Sequence, residues 1–127
     1  MNMQISAYNE LLAVLSSLTE IILINCSSRK KGQVMKQFYL PFEPSGITLG
    51  PCHLAVQTGS IIKLYRWTRN RAILSDIEEV NEIDFEQKIK RVDLNDTHIA
   101  IMSEKGKVYL FETENSETKP KVFPLEA

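Results

Sequence analysis

The sequence predicts an all-β fold of three four-stranded antiparallel sheets, and three observations lead to it. The chain repeats itself: Leu12-Ala13-Val14, Leu54-Ala55-Val56 and Ile99-Ala100-Ile101 share the order aliphatic, Ala, β-branched aliphatic, at offsets of 42 and 45 residues. Each triplet is followed by a second apolar run: Ile21-Ile22-Leu23-Ile24, Ile61-Ile62-Lys63-Leu64-Tyr65 and Val108-Tyr109-Leu110-Phe111. Between the paired runs sit turn formers, Ser16-Ser17 with Thr19, Thr58-Gly59-Ser60 and Glu104-Lys105-Gly106. The runs are short, rich in Ile and Val and bounded by turns, which favours strand over helix, so each unit contains a hairpin. A period of about 40–45 residues with four strands per unit is the signature of blades in a WD40-type β-propeller.

The remaining strands flank these hairpins. Ahead of them lie Met3 to Tyr8, Gly46 to Leu49 and Lys88 to Leu94; behind them lie Gln33 to Leu40, Ala72 to Val80 and Lys121 to Leu125. Residues 1–127 thus read as a partial propeller with blades at approximately 3–41, 46–81 and 88–126. Leu11 to Leu15 and Ile21 to Ile24 are apolar throughout, where a half-solvated strand would alternate, so both faces of such strands are expected to be covered by neighbouring blades. Asp76 to Lys90 is the ambiguous stretch. Its spaced Ile77, Val80, Ile83 and Phe85 fit a helical turn, or an outer strand followed by a long exposed connection, and the second reading is adopted.

With 43% apolar and 24% charged residues, the 127-residue chain can build a core and is neither disordered nor fibrous. Its formal net charge of −1 argues against a generic polyanion binder. Cys26 and Cys52 form no CxxC pair and no dense framework, which points to a reducing, cytoplasmic compartment. Leu11 to Ile24 is no secretory signal, because Glu10 and Glu20 intrude and no Lys or Arg occurs before Arg29. It also falls short of the roughly 20 residues needed to cross a bilayer. No direct membrane insertion is expected.

No constellation suggests catalysis. His53 and His98 each directly precede an aligned triplet, so they occupy one structural position in two blades and read as packing or hydrogen-bonding residues rather than metal ligands. Ser16-Ser17 and Ser27-Ser28 lie at strand ends, and there is no GxSxG, GxxxxGK or GxGxxG motif. The expectation is a non-enzyme with no catalytic, cofactor-binding or metal-binding residues and no cofactor. Charge is unevenly spread: residues 1–75 hold eight Lys/Arg against three Asp/Glu, and residues 76–127 hold seven against thirteen. The basic side comprises Arg29-Lys30-Lys31 with Lys36, and Lys63, Arg66, Arg69 and Arg71 around Tyr65 and Trp67. Basic residues interleaved with aromatics can bind single-stranded nucleic acid. Alternation along the strand instead packs the aromatics between blades, so Arg29, Lys30, Lys31, Arg66, Arg69 and Arg71 are taken as a protein-facing surface, with no nucleic acid partner. The acidic stretch Asp76 to Glu86 lacks the order of a calcium loop and is expected to solubilise an exposed connection.

Leu49-Gly50-Pro51-Cys52-His53-Leu54-Ala55-Val56, followed by Ile61-Ile62-Lys63-Leu64-Tyr65-Arg66-Trp67, resembles a blade segment in the large WD-repeat subunits of intraflagellar transport complex A. The later stretch through Ile99-Ala100-Ile101, Gly106-Lys107-Val108-Tyr109-Leu110 and Val122-Phe123-Pro124 is similar to the next blade, so the resemblance covers about residues 40–126. It departs from the family in ending no third strand with Trp-Asp and in carrying Cys52 where an aromatic is expected. The resemblance implies a non-catalytic interaction scaffold in retrograde ciliary transport and cilium assembly. Its partners would be other protein subunits of a transport complex, at the cilium or flagellum and the basal body. The alternatives are a propeller fragment of another coat-like trafficking scaffold, or a small nucleic-acid-binding β domain. Three blades are fewer than the four to eight that close a propeller. Further blades, from the same chain or a partner, are therefore expected, and a stable monomer would contradict that.

Overall fold

Short β-branched runs punctuated by turns become antiparallel meanders in a computed structural model, which describes residues 4–8, 11–25, 32–67, 69–70, 73–74, 77–115 and 119–124. The first sheet runs β1 (Gln4–Tyr8), β2 (Leu11–Leu15), β3 (Glu20–Asn25) and β4 (Gln33–Tyr39), each strand paired with the next. The second is built from β5 (Gly46–Leu49), β6 (His53–Thr58) and β7 (Ile61–Arg66), with β10 (Glu78–Asp84) as its outer strand. A small hairpin, β8 (Arg69–Asn70) with β9 (Ile73–Leu74), interrupts it, and β9 packs beside β4 of the first sheet. The third sheet is β11 (Ile89–Leu94), β12 (His98–Ser103), β13 (Lys107–Glu112) and β14 (Lys121–Pro124). The hairpin tips fall where the glycines allow: Gly59 and Gly106 have φ of +62° and +84°, a region that L side chains rarely adopt.

The outer strand of the second sheet departs from the expectation. It lies at Glu78–Asp84, inside the Asp76 to Lys90 stretch read as an outer strand and sharing only Glu78–Val80 with the 72–80 span. Alternation decides this. Asn81, Ile83 and Phe85 are buried while Glu82, Asp84 and Glu86 are exposed, so the period-two pattern begins only after a register shift between Glu79 and Asn81. Asn81 is a buried polar anchor: its amide donates to the Glu112 carbonyl at 3.3 Å and its side-chain oxygen accepts from the Glu82 N–H at 2.8 Å.

Two apolar clusters fill the spaces between sheets. Leu11, Ala13, Leu15, Ile21 and Leu23 meet Ile47, Leu49, Leu54 and Val56 between the first and second sheets, and Tyr65 and Trp67 pack there as the strand alternation predicts. Ala55, Ile62, Leu64, Ile83 and Phe85 meet Val92, Leu94, Ile99 and Ile101 between the second and third. At the inner edge the Leu49 N–H donates to Ser6 Oγ at 2.8 Å, tying β5 to β1. Gly50 lets β11 come close, since a Cβ there would lie 2.9 Å from Leu94 Cγ.

The expectation that Leu11 to Leu15 and Ile21 to Ile24 are covered on both faces is not met among the described residues, where β2 and Ile21 to Ile24 alternate buried with half-buried. In β6 the four residues His53 to Val56 are all buried, whereas β2 and β12 alternate buried with half-buried residues. Among the described residues, only the second sheet has a neighbour on each side.

Candidate interaction surface

Of the basic residues expected to form an interaction surface, Arg29, Lys30, Lys31 and Arg71 lie outside the described residues, as does Cys26. Arg69 is placed by its backbone in β8. Arg66 is fully placed, at the end of β7, and it is not a free cation. Its guanidinium holds Glu78 Oε1 through Nη2 at 2.5 Å and Glu114 through Nη1, and these carboxylates raise its pKa further, the Glu78 hydrogen bond first. Lys63, three residues earlier, reaches Glu79 at 3.2 Å and Glu82 at 3.4 Å and lies 5.3 Å from the Phe42 ring centroid. Its pKa rises, mainly through the Glu79 hydrogen bond.

The acidic stretch expected to solubilise a connection thus does something else. Antiparallel pairing sets Glu78 opposite Arg66 and Glu82 opposite Lys63, so β10 neutralises the basic strand β7. Pairs this exposed add little stability. They do fix which charges the rim presents, a mixed surface in place of a basic one.

Behind Arg66 the network becomes buried. His53 has no exposed surface, and its Nε2 lies 2.9 Å from Glu114 Oε2, on the turn that follows β13 in the third sheet. Its Nδ1 lies 3.4 Å from Cys52 Sγ. A carboxylate only accepts, so Nε2 carries the proton and Nδ1 accepts from the Cys52 S–H. Burial, then the charges of Asp96 and Glu114, push the Cys52 pKa up, which keeps the thiol protonated and suits it to donate rather than attack. Cys52 and His53 therefore form a link between sheets. His98 starts β12 as His53 starts β6, yet it is half-exposed, with Nδ1 on Thr97 Oγ1 at 2.9 Å. Glu114 was not identifiable from sequence. It lies 61 residues from its histidine, and only its place just past a strand end hints at a role.

Among the described residues no cluster of three or more His, Cys, Asp or Glu could hold a metal ion, and no helix is long and apolar enough to cross a membrane. Two sheet faces expose apolar side chains among the described residues. On the first sheet Ile5 and Val34 are 70% and 53% exposed beside half-buried Leu12, Val14, Ile22 and Ile24. On the third, Phe123 is 49% exposed beside half-buried Ala100, Met102, Val108 and Leu110.

Stacked four-stranded antiparallel meanders are the build of a propeller, and comparisons agree. The WD40 domain of SCAP from fission yeast is similar to the chain with a TM-score of 0.68 and 16% identity, over 92% of this chain and 32% of that one. Human WBSCR16 is similar with a TM-score of 0.56 and 14% identity, over 96% of this chain and 39% of that one. At such identities the likeness shows the WD40-type propeller fold, of which this chain spans a minor part. No curated protein matches the sequence. The model of one family, the WDR19 second β-propeller, matches residues 12–127. With a match across nearly its whole length, on sheets stacked as that fold requires, the chain belongs to the WDR19 second β-propeller family.

Proposed function

We propose that the chain is part of a protein-interaction scaffold of intraflagellar transport complex A, acting in retrograde ciliary transport and cilium assembly, at the cilium and basal body, without catalysis of its own. The family match over residues 12–127 carries this reading. The geometry supports it. A stack of sheets locked by two apolar clusters and by the Cys52, His53, Glu114 and Arg66 link presents strand ends rigidly, as a docking platform requires. We assign Arg66 to contact with other subunits of the complex, together with Arg29, Lys30, Lys31, Arg69 and Arg71 on the strength of the sequence reading.

The test is affinity purification of the tagged chain from ciliated cells with quantitative mass spectrometry. Enrichment of other complex A subunits, reduced when Arg69 and Arg71 are replaced by Glu, is expected. Enrichment of a different coat-like assembly would move the chain to another trafficking scaffold. The nucleic-acid reading is disfavoured because Lys63 and Arg66 are already engaged by four glutamates. Salt-dependent binding of a labelled oligonucleotide would revive it.

A further inference from the structure

The two junctions between sheets match residue for residue. Lys36 pairs with Leu23 as Asn81 pairs with Leu64, and Leu23 and Leu64 lie opposite Ala13 and Ala55 of the aligned triplets. At the second junction Asn81 is 6% exposed and crosses to the third sheet, its amide donating to the Glu112 carbonyl. At the first junction Lys36 stands in that place, half-buried, and among the described residues no hydrogen bond or ion pair engages its ammonium. The outer side of this junction is open as a trough of about 370 Å³, lined by Phe38, Tyr39, Leu40, Pro41, Tyr65 and Ile77 together with Lys36. The trough lies inside the chain, between two sheets that already pack on each other.

We propose that this trough docks a short, extended, acidic segment of a partner protein, which lies along β4 with an apolar side chain against Phe38 and Tyr65 and a carboxylate on Lys36. The lining calls for the apolar side chain. It is aromatic and aliphatic but for one charge, the Phe38 and Tyr65 rings are tilted by 51° at 6.4 Å, and the volume is near the lower end for ligand sites. Charge calls for the carboxylate. Glu20 is already engaged by Ser16, Tyr39 and Gln37, and Glu79 and Glu82 by Lys63, which leaves Lys36 to seek an anion from outside. Placement calls for an extended chain. Lys36 and Phe38 face the second sheet with their partners Leu23 and Ile21, whereas Tyr39 points the other way by alternation and still lines the trough. The trough therefore follows the outer edge of β4. β9 packs beside that edge without joining the sheet, and no described strand pairs with it. Strand addition takes its affinity from such an edge and its specificity from alternate side chains. In the antiparallel sense that the whole sheet uses, the residue opposite Phe38 comes two positions before the residue opposite Lys36, so the recognised order is apolar, any residue, then Asp or Glu. This inference needs a protein-binding propeller and no part of the ciliary assignment.

The experiment is selection of a displayed library of random octapeptides on the purified full chain, followed by fluorescence anisotropy with the selected peptides and circular dichroism on each variant. The expected peptides carry an apolar residue two positions before Asp or Glu. Lys36→Glu weakens their binding about tenfold or more, and it binds instead the same peptides with the acid changed to Lys. Tyr39→Ala, at a position 68% exposed, weakens them too. Lys105→Glu, the same charge change on an exposed turn of the third sheet, leaves them unaffected. If Lys36→Glu fails to fold, Lys36→Gln replaces it, with the loss expected and no reversal. The proposal is overturned if the library yields no saturable binder, if the selected peptides lack an acid at that spacing, or if they bind the Lys36 variants as well as the native chain. Selection on the purified chain keeps this result separate from co-purification of complex A subunits, so either reading can fail without the other.

Discussion

The second sheet and the two that flank it share the four-stranded meander and the aliphatic-Ala-aliphatic triplet at matched positions, yet they do not share the same environment. Leu54 of the second sheet and Leu12 of the first are one residue type at one register position, and only Leu54 is fully buried. His53 and His98 make the same contrast between the second and third sheets. The difference shows that in a stacked array a residue's energetic weight comes from its sheet's neighbours, not from its place within the sheet, as nearest-neighbour repeat energetics require.

Substitutions at matched positions should break or sharpen that contrast. The largest effect is expected from Leu54→Ala, which empties a fully packed site and should cost about 3 kcal/mol by urea unfolding. Leu12→Ala should cost only about 1 kcal/mol. Equal costs at the two positions would break the contrast. Overpacking comes next. Ala55→Leu should cost about 1–3 kcal/mol, while Ala100→Leu should stay within about 0.5 kcal/mol. Then His53→Ala, which leaves Glu114 and Cys52 without their buried partner, should cost about 2 kcal/mol; His98→Ala should cost less than about 0.5 kcal/mol.

The smallest effect is one of pH. Burial makes the folded chain hold the Cys52 proton to higher pH than the unfolded chain does. The stability this gives is complete below the thiol's ordinary value of 9.0 and is lost as pH rises from there through the folded value. The urea midpoint of a Cys26→Ser background should therefore drop as pH rises through and beyond that ordinary value. The added Cys52→Ser change should flatten that slope, leaving only the part that the raised tyrosines contribute at higher pH. Tyr65, also raised by burial, titrates from its ordinary value of 10.0 and acts at the upper edge of the window.

The parts of the fold legible in the sequence were those that local pattern determines. Gly46 to Leu49 was read as a strand and is β5, residue for residue. The triplets carry the β-branched and small residues that packed strands need, and Gly59 and Gly106 mark turns that require positive φ. The outer strand of the second sheet was placed too early because Ile73 and Leu74 do form a strand, the separate β9, while the alternation of Asn81, Ile83 and Phe85 in β10 is obscured by the shift after Glu79. The rim was legible only as a set of charges. That Arg66 and Lys63 face glutamates depends on how β10 registers against β7 after an intervening hairpin, and that His53 meets Glu114 depends on how two sheets stack. Neither is a local property of the chain.

The meander wiring, with nearly every strand paired to its neighbour in sequence, also sets the order in which the molecule can form. Most pairings close short loops, so contact order within a sheet is low and each hairpin can assemble early. Stacking is different in kind. The Leu49 amide that ties to Ser6 is 43 residues further along, so on the ribosome the first sheet can zip up but not dock until β5 has emerged. Until then Leu11, Leu15, Ile21 and Leu23 face solvent, and that waiting interval is when a nascent chain of this kind most needs a chaperone.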